Sequence, residues 1–279
     1  MPARYGGGLY ALESSPTIRR VKAFGNTGQR GVAAYFHGSF APIIINDCEF
    51  TDNLGASGCG LYVDSGSVLT IEDCLFARNS STGSGAGAMV DAESITVRRC
   101  RFEDNIATAF GAGGGLVILN LLPATPTQAS LVTIEECRFA RNAAVSVGGG
   151  LVAVSTTVEV RGCSFLENSG TSGGGIIADS VDLLVEHCVF ARNESNLGTA
   201  ISGSINDGRM TVDHCTFAEQ IGGVTIEPYF SPVTVTNSIA WGNGNAEFID
   251  LFFTSTSASV SYSDIDGGWP GVGKIDVDP

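Results

Sequence analysis

Hydrophobic and polar residues alternate in short segments that recur at a regular interval along the chain. Each segment carries a β-branched aliphatic residue three positions before an equivalent position that is most often Cys. These aliphatic residues are Ile18, Ile45, Ile71, Val97, Ile134, Val160, Val185, Val212, Val235 and Val260. Alternation with a period of two, rich in β-branched residues and interrupted by Gly, predicts β-strands rather than helices.

The motif Cys-x-Phe-x-x-Asn marks one position of the repeat. Its six copies begin at Cys48, Cys74, Cys100, Cys137, Cys163 and Cys188. A seventh copy begins at Cys215 and has Gln220 in place of Asn. Val21, Ser238 and Ser263 continue the series at nearly the same spacing, and only the step from Cys100 to Cys137 is much longer than the others.

A regular spacing of this length is typical of a solenoid in which each repeat forms one coil. About 26 residues, with three short strands and three turns, is the size of one coil of a parallel β-helix. Leucine-rich repeats have a similar length, but their Leu-x-x-Leu-x-Leu pattern and helical segment are missing. The sequence therefore predicts an all-β fold, a single parallel β-helix solenoid of about ten coils over residues 1–279.

The long step from Cys100 to Cys137 contains one coil plus an insertion, residues 121–130, in which two prolines interrupt the periodicity. This composition predicts a protruding loop, which is either a contact site or a neutral insertion. Both termini fall inside the repeat pattern, and neither shows the polar cap that a solenoid end requires. We therefore expect either a segment of a longer protein or capping by dimerisation.

The repeat cysteines and asparagines predict two buried ladders. Seven of the eight cysteines share one inward position, where Cys serves as a small hydrophobic residue, so free buried thiols are expected; only Cys59 lies elsewhere. Asn tolerates the left-handed conformation of a sharp turn, and stacked amides form hydrogen bonds from coil to coil. A structural role is therefore predicted for Asn26, Asn53, Asn79, Asn105, Asn142, Asn168, Asn193 and Asn243.

Charged residues alternate in sign from one repeat to the next. The residues before the repeat Asn are Asp52, Arg78, Asp104, Arg141, Glu167, Arg192 and Glu219, and those two before the repeat Cys include Glu72, Arg98, Glu135, Arg161 and Glu186. Opposite charges stacked in register attract modestly, whereas like charges repel. The alternation predicts complementary coils and removes these residues from the candidates for catalysis.

The net charge of −14 makes nucleic acid an unfavourable partner, while divalent cations and basic surfaces remain open. No apolar run reaches the length of a membrane span, and none follows an N-terminal basic cluster as in a signal peptide. We expect no membrane insertion by this segment.

Three carboxylates stand apart from the alternating series. Asp64, Asp91 and Asp179 follow the glycine turns at similar distances and are predicted to share one edge of the rod. They fit a calcium site, a paired-acid site or ordinary solvated positions. His187 and His214 each precede a repeat Cys on adjacent coils, which fits a metal or ligand site or an exposed ladder.

Aromatic residues outside the Phe repeat gather towards the C-terminus, among them Trp241, Tyr262 and Trp269. Exposed aromatic side chains suit sugar stacking or protein docking, and they equally suit packing of the open end. No Ser-His-Asp, zinc-finger or nucleotide motif with appropriate spacing is present, so no cofactor is predicted apart from possible calcium.

The pairing of Gly-Gly-x-aliphatic with Phe-x-x-Asn resembles the repeats of polymorphic outer-membrane proteins and of other bacterial right-handed parallel β-helix proteins. It is carried by Gly6–Leu9, Gly113–Leu116, Gly148–Leu151 and Gly173–Ile176, and by Phe50–Asn53 with its successors. The resemblance implies right-handed coiling and an extracellular or cell-surface location. It also implies a function as an adhesin or a stalk, or as a polysaccharide lyase or hydrolase. No catalytic residue of the lyases can be assigned to a residue of this sequence.

Three hypotheses follow. The first is a non-catalytic extracellular rod for adhesion, ligand display or surface assembly, with polysaccharide or a cell-surface protein as partner. The second is a pectate-lyase-like carbohydrate-active enzyme or polysaccharide-binding module. The third is a structural module whose ends associate with one another.

Overall fold

The short alternating segments form parallel strands that lie one above another in successive coils. The computed structural model describes residues 6–39, 41–109, 111–119, 131–154, 157–179, 182–204, 208–229, 232–244, 248–249, 257–269 and 272–273. All pairings between the named strands are parallel, and paired residues are one repeat apart in the chain, as Phe76 and Phe102 are. Strands occupy four positions in the coil, one more than the three expected from the repeat length, and we call these positions stacks A to D.

Stack A follows the glycine turns and stack B precedes the repeat Cys. Stack A contains β1 (Leu9–Leu12), β4 (Ala34–Ser39), β14 (Leu116–Leu119), β18 (Leu151–Val154), β21 (Ile176–Asp179), β25 (Ile201–Ser204) and β29 (Ile226–Tyr229). Stack B contains β2 (Thr17–Arg19), β5 (Ile43–Asn46), β15 (Leu131–Glu135), β19 (Thr157–Arg161), β22 (Leu183–Glu186), β26 (Met210–Asp213), β30 (Val233–Thr236) and β32 (Ala258–Ser261). Two longer strands, β8 (Leu61–Glu72) and β11 (Ala88–Arg98), run through both stacks and join them into one sheet.

Stack C carries the repeat Phe and stack D follows the repeat Asn. Stack C contains β3 (Lys22–Phe24), β6 (Glu49–Thr51), β9 (Leu75–Ala77), β12 (Arg101–Glu103), β16 (Arg138–Ala140), β20 (Ser164–Leu166), β23 (Val189–Ala191), β27 (Thr216–Ala218), β31 (Ile239–Trp241) and β33 (Asp264–Ile265). Stack D contains the short strands β7 (Leu54–Gly55), β10 (Ser80–Ser81), β13 (Ile106–Ala107), β17 (Ala143–Ala144), β24 (Glu194–Ser195) and β28 (Ile221–Gly222). No helix occurs in the ranges that the structure describes.

The parallel β-solenoid is confirmed, with a slightly different number of coils. Eight coils, from the one that begins at Leu9 to the one that ends at Gly222, have a strand or an isolated bridge in all four stacks. The repeat positions near Ser238 and Ser263 contribute strands to stacks B and C, but the described residues form no further stack D strand there. The prediction of about ten coils counted repeat positions in the sequence, whereas a complete coil has a strand or bridge in each of the four stacks.

The core is a column of inward side chains in which each residue packs on its equivalent in the next coil. The repeat phenylalanines are at most 1% exposed, and neighbouring rings from Phe50 to Phe217 stack with centroids 4.8 to 5.1 Å apart. All eight cysteines are free and buried, as predicted for the seven that share the repeat position. The Cys137 thiol, for example, lies 3.2 Å from the Glu135 carbonyl and 3.4 Å from the backbone nitrogen of Cys100.

The Asn ladder is confirmed, but the predicted reason for Asn is wrong in one respect. The left-handed residue is the one before each Asn: Arg141 has φ 53° and is exposed, whereas Asn142 is fully buried. Turning the chain one residue earlier directs the charged side chain to solvent and the amide into the coil. The amide then forms a hydrogen bond to the next coil; for example, Nδ2 of Asn53 donates to Oδ1 of Asn79 at 2.9 Å.

The alternating charges form ion pairs between coils. Arg78 contacts Asp52 and Arg141 contacts Asp104 through two hydrogen bonds each, at 2.7 to 2.9 Å. These side chains are two-fifths exposed or more, so each pair contributes only about 0.2–1 kcal/mol. The predicted insertion, residues 121–130, lies outside the described residues.

Candidate functional site

The outer face of stack A carries two columns of side chains that point away from the core. Strand alternation places them there, because the intervening residues, such as Leu61 and Val63, are buried in the core. The first column contains Tyr10, Tyr35, Tyr62, Met89, Val117, Val152, Ile177, Ser202 and Glu227. The second contains Leu12, His37 and Asp64 in the first three coils, and Leu119, Val154, Asp179 and Tyr229 in later ones.

The first three coils of this face form an aromatic row, which we call the tyrosine row. The ring centroids of Tyr10 and Tyr35 lie 5.5 Å apart and those of Tyr35 and Tyr62 lie 5.2 Å apart. The row is graded in exposure: Tyr10 is 47% exposed, Tyr62 is half-buried and Tyr35 is buried. It therefore offers ring surface to solvent at both of its ends.

Glycine makes this arrangement possible because the turn before each strand lies against the tyrosine. Gly31 has φ 53°, and a Cβ added there would stand 2.4 Å from the Cβ of Tyr35. Gly6 and Gly58 hold the same relation to Tyr10 and Tyr62, four residues on. A side chain at these positions would strain the backbone and displace the ring.

Asp64 connects the tyrosine row to the second column. The Tyr35 hydroxyl donates to Oδ2 of Asp64 at 3.2 Å, and Nδ1 of His37 lies 3.2 Å from the same oxygen. The His37 ring also stacks on Tyr35, with centroids 6.1 Å apart. One carboxylate oxygen thus fixes two aromatic side chains on the preceding coil.

Carboxylates act on the hydroxyl groups of Tyr35 and Tyr62. Burial raises the pKa of Tyr35 above its usual value, and the Asp64 carboxylate raises it further. Burial likewise raises the pKa of Tyr62, with added contributions from Asp64 and Asp91, while the Arg30 guanidinium lowers it. Both phenols are therefore neutral hydrogen-bonding groups at physiological pH.

The three predicted acidic residues share one face but not one site. Asp64 and Asp91 follow the paired residues Val63 and Val90 on adjacent coils, and an irregularity in the register begins there, as in a β-bulge. Asp179 is exposed and lies three coils beyond Asp91, with Leu119 and Val154 at the same position in the intervening coils. At about 4.8 Å per coil it is roughly 14 Å away.

The two histidines stack as their spacing predicts. The rings of His187 and His214 are 5.0 Å apart and inclined by 10°, and Nδ1 of His214 lies 2.8 Å from Oδ2 of Asp213. Asp213 also accepts hydrogen bonds from Thr236 and Asn237. In the described part of the chain, no group of three or more His, Cys, Asp or Glu side chains is arranged to hold a metal ion.

The three late aromatic residues lie in different parts of the coil. Trp241 is half-buried in β31 of stack C, and Tyr262 is 64% exposed in the turn between stacks B and C. Trp269 packs against the hydrophobic core. They do not form a continuous row like the one on stack A.

Sequence reasoning missed Tyr10, Tyr35, Tyr62 and His37. The signal was present, because each tyrosine comes four positions after a turn glycine and the three tyrosines recur at the spacing of the repeat. A residue type that recurs at the repeat spacing is easily recognised in the sequence only when it occurs in most coils. Tyr occupies this position in three coils, and Met and aliphatic residues occupy it in the coils that follow.

The described fold defines a parallel β-solenoid with a mixed aromatic and acidic outer face. The chain belongs to the right-handed β-helix family, whose model, described as a right-handed beta helix region, matches residues 7–190 and 125–240. Searches of curated proteins and of solved structures gave no significant match. No helix among the described residues is long and apolar enough to cross a membrane.

Proposed function

We propose that the protein is a non-catalytic extracellular or cell-surface rod that acts in adhesion and ligand display by binding carbohydrate along the tyrosine row. The observation that carries the proposal is the row of three tyrosine rings, whose neighbouring centroids lie 5.5 and 5.2 Å apart, beside the Asp64 carboxylate. The rings supply an apolar surface with polar edges, and the carboxylate and His37 supply hydrogen-bonding groups.

The rigidity of the site supports binding as its role. The tyrosines stand on paired strands and lie close against the preceding turn glycines, and the Tyr35 hydroxyl is already hydrogen-bonded. A preorganised face loses little conformational entropy when a ligand arrives. This is the property expected of a display surface on a solenoid.

The proposed location rests on the resemblance of the Gly-Gly-x-aliphatic and Phe-x-x-Asn repeats to those of polymorphic outer-membrane proteins. Proteins with such repeats are exposed at bacterial surfaces, and an adhesive rod fits that setting. The free buried cysteines give no information about the redox compartment, because Cys serves here as a core residue.

A glycan array, followed by calorimetric titration of any ligand that binds, tests the proposal. Tyr10→Ala should weaken binding about 2- to 10-fold through loss of one aromatic contact. Phe24→Ala is the matched control, because Phe24 is a 71% exposed aromatic residue of the same coil but belongs to stack C. The proposal is wrong if no glycan binds, or if both variants weaken binding equally.

A second candidate function, a pectate-lyase-like enzyme, is favoured by one observation: Asp64 and Asp91 lie on adjacent coils at a register irregularity. Two nearby carboxylates can act as general acid and base. An assay for reducing sugars and unsaturated products, with and without calcium, separates the two functions. If the protein cleaves a polysaccharide and Asp91→Asn abolishes the cleavage, the protein is an enzyme and not a non-catalytic binding rod. If the cleavage requires calcium, the carboxylates form a calcium site.

A further inference from the structure

We infer that the ligand of the tyrosine row is a linear polysaccharide carrying free amino groups. The inference rests on the proposed function and names the chemical class of its ligand. The observations behind it are the charge around the rings, the narrowness of the row and its direction along the axis of the rod.

The charge at the row favours a cation. Oδ2 of Asp64 lies 3.2 Å from both the Tyr35 hydroxyl and Nδ1 of His37. Asp64 and Asp91 also raise the pKa of Tyr62, and the Arg30 guanidinium opposes them. The chain as a whole carries a net charge of −14, so the long-range field also attracts positive and repels negative polymers. An acidic polysaccharide would have to approach against both fields.

The rings themselves reinforce this preference. An ammonium group over the face of an exposed tyrosine ring is attracted by the negative electrostatic potential of that face. Tyr10 is 47% exposed, and Tyr62, two coils along, lies next to the partly exposed Asp64 carboxylate. A protonated amino group can therefore contact a ring face and a carboxylate at the same time. A hydroxyl or an acetamide group carries no full positive charge and gains less from both contacts.

The size of the row favours a polymer strand over a folded protein. Fully buried, three tyrosines account for about 450–750 Å², whereas a stable protein interface covers about 800 Å² on each partner. Tyr35 is only 4% exposed in the rod itself, so the area that a partner can bury on the tyrosine row is smaller still. Because Tyr10, Tyr35 and Tyr62 are on successive coils, the row runs along the rod, and its two more exposed rings, Tyr10 and Tyr62, are two coils apart.

Calorimetric titration with two hexasaccharides tests the inference. The probes are the β-1,4-linked glucosamine hexamer and its fully N-acetylated counterpart, which share a backbone and differ in charge at pH 6. The wild-type protein should bind the amine form about 10-fold more tightly. Asp64→Asn should reduce that preference about 5-fold, and added salt should weaken the binding of the amine form but not that of the acetylated form.

Asp179→Asn is the matched control, because Asp179 is an exposed carboxylate at the same strand position, beyond the tyrosine row. It should leave both affinities unchanged. Asn at position 64 still accepts a hydrogen bond from Tyr35, and equal melting temperatures of the variants would establish that they are folded.

Distinct outcomes overturn the two ideas. If the acetylated hexamer binds as tightly as the amine, or polygalacturonate binds more tightly, the inference fails while carbohydrate binding stands. If polylysine binds with the same dependence on Asp64, the ligand is a polypeptide and the inference also fails. If no glycan on the array and neither hexamer binds, the proposed function itself is wrong.

Discussion

Nδ2 of Asn105 donates a hydrogen bond to Oδ1 of Asn142 over 2.9 Å, although 37 residues separate the two in the chain. The same bond joins Asn53 to Asn79 across 26 residues, also at 2.9 Å. The longest step of the repeat therefore leaves the geometry of the ladder unchanged. The coil boundary is set by ladder contacts and not by the length of chain between them.

Loss of an interior ladder amide should destabilise the protein strongly. Asn142 accepts from the backbone and the side chain of Asn105 and donates to Phe102 O and Oδ1 of Asn168, all at 2.7 to 3.2 Å. Asn142→Ala leaves these buried partners unsatisfied, and we expect the free energy of unfolding to fall by about 3 kcal/mol. Urea denaturation measures it as a lower midpoint.

Asn46→Ala is the control for this ladder experiment, because the Asn46 side chain makes one exposed hydrogen bond to Asp73. It should change the free energy of unfolding by less than about 0.5 kcal/mol. Equal effects at the two positions would contradict the structural role of the ladder.

Residues 121–130 should be removable without loss of the fold. Leu119 pairs with Val154 and Leu131 pairs with Thr157, so the strands on both sides of the insertion are in register with the next coil. Replacing residues 121–130 by two small residues would leave a connection of three, as between Asp179 and Leu183. We expect stability within about 1 kcal/mol of the wild type in thermal unfolding; a larger loss would show that the segment packs on the rod.

Truncation of an interior phenylalanine should be costly. Phe139 is fully buried and stacks on Phe102 at 4.9 Å and on Phe165 at 4.8 Å. Phe139→Ala should lower the free energy of unfolding by about 3–5 kcal/mol because it removes apolar contacts and opens a cavity. Phe24→Ala, at a 71% exposed position, should cost less than about 0.5 kcal/mol in the same chemical denaturation series.

The thiols should be inaccessible in the native protein and all reactive once it is unfolded. Eight cysteines are free and buried. Titration with a thiol reagent should therefore detect no thiols in native buffer and eight in guanidinium chloride without reductant. Fewer than eight in the unfolded protein would demonstrate disulfides, and rapid reaction in native buffer would place a thiol at the surface.

Asp213 should contribute stability that disappears in acid. Burial raises its pKa, but hydrogen bonds from Thr236, Asn237 and His214 outweigh this effect and lower it to about 2. Because the folded pKa lies below the unfolded value of about 3.9, the stabilisation is complete above that value and is lost as pH falls towards 2. Asp213→Asn should melt at a lower temperature than wild type at pH 6, and the difference should vanish near pH 2. If the two proteins still differ in melting temperature at pH 2, the stabilisation does not depend on the ionised Asp213 carboxylate.

The sequence predicted the repeat almost completely, because each ladder depends on one residue type recurring at one position. The Asn ladder, the free thiols and the alternating charge pairs, such as Asp104 with Arg141, could be predicted from the sequence, because parallel pairing in register brings equivalent repeat positions together. The left-handed position was misplaced by one residue, because Asn and its preceding residue are both compatible with a turn. The number of complete coils was also not fixed by counting motifs.

Only the tertiary structure decided which exposed residues meet. The sequence marked Asp64, Asp91 and Asp179 by their charge and Trp241, Tyr262 and Trp269 by their aromatic rings. The fold placed Asp179 three coils away from Asp91 and packed Trp269 on the core. It joined Asp64 to Tyr35 and His37, which stand 29 and 27 residues earlier in the chain. Core positions are dictated by periodicity, since every coil must fill the same interior. A surface site depends instead on individual side-chain contacts, which the repeat leaves unconstrained.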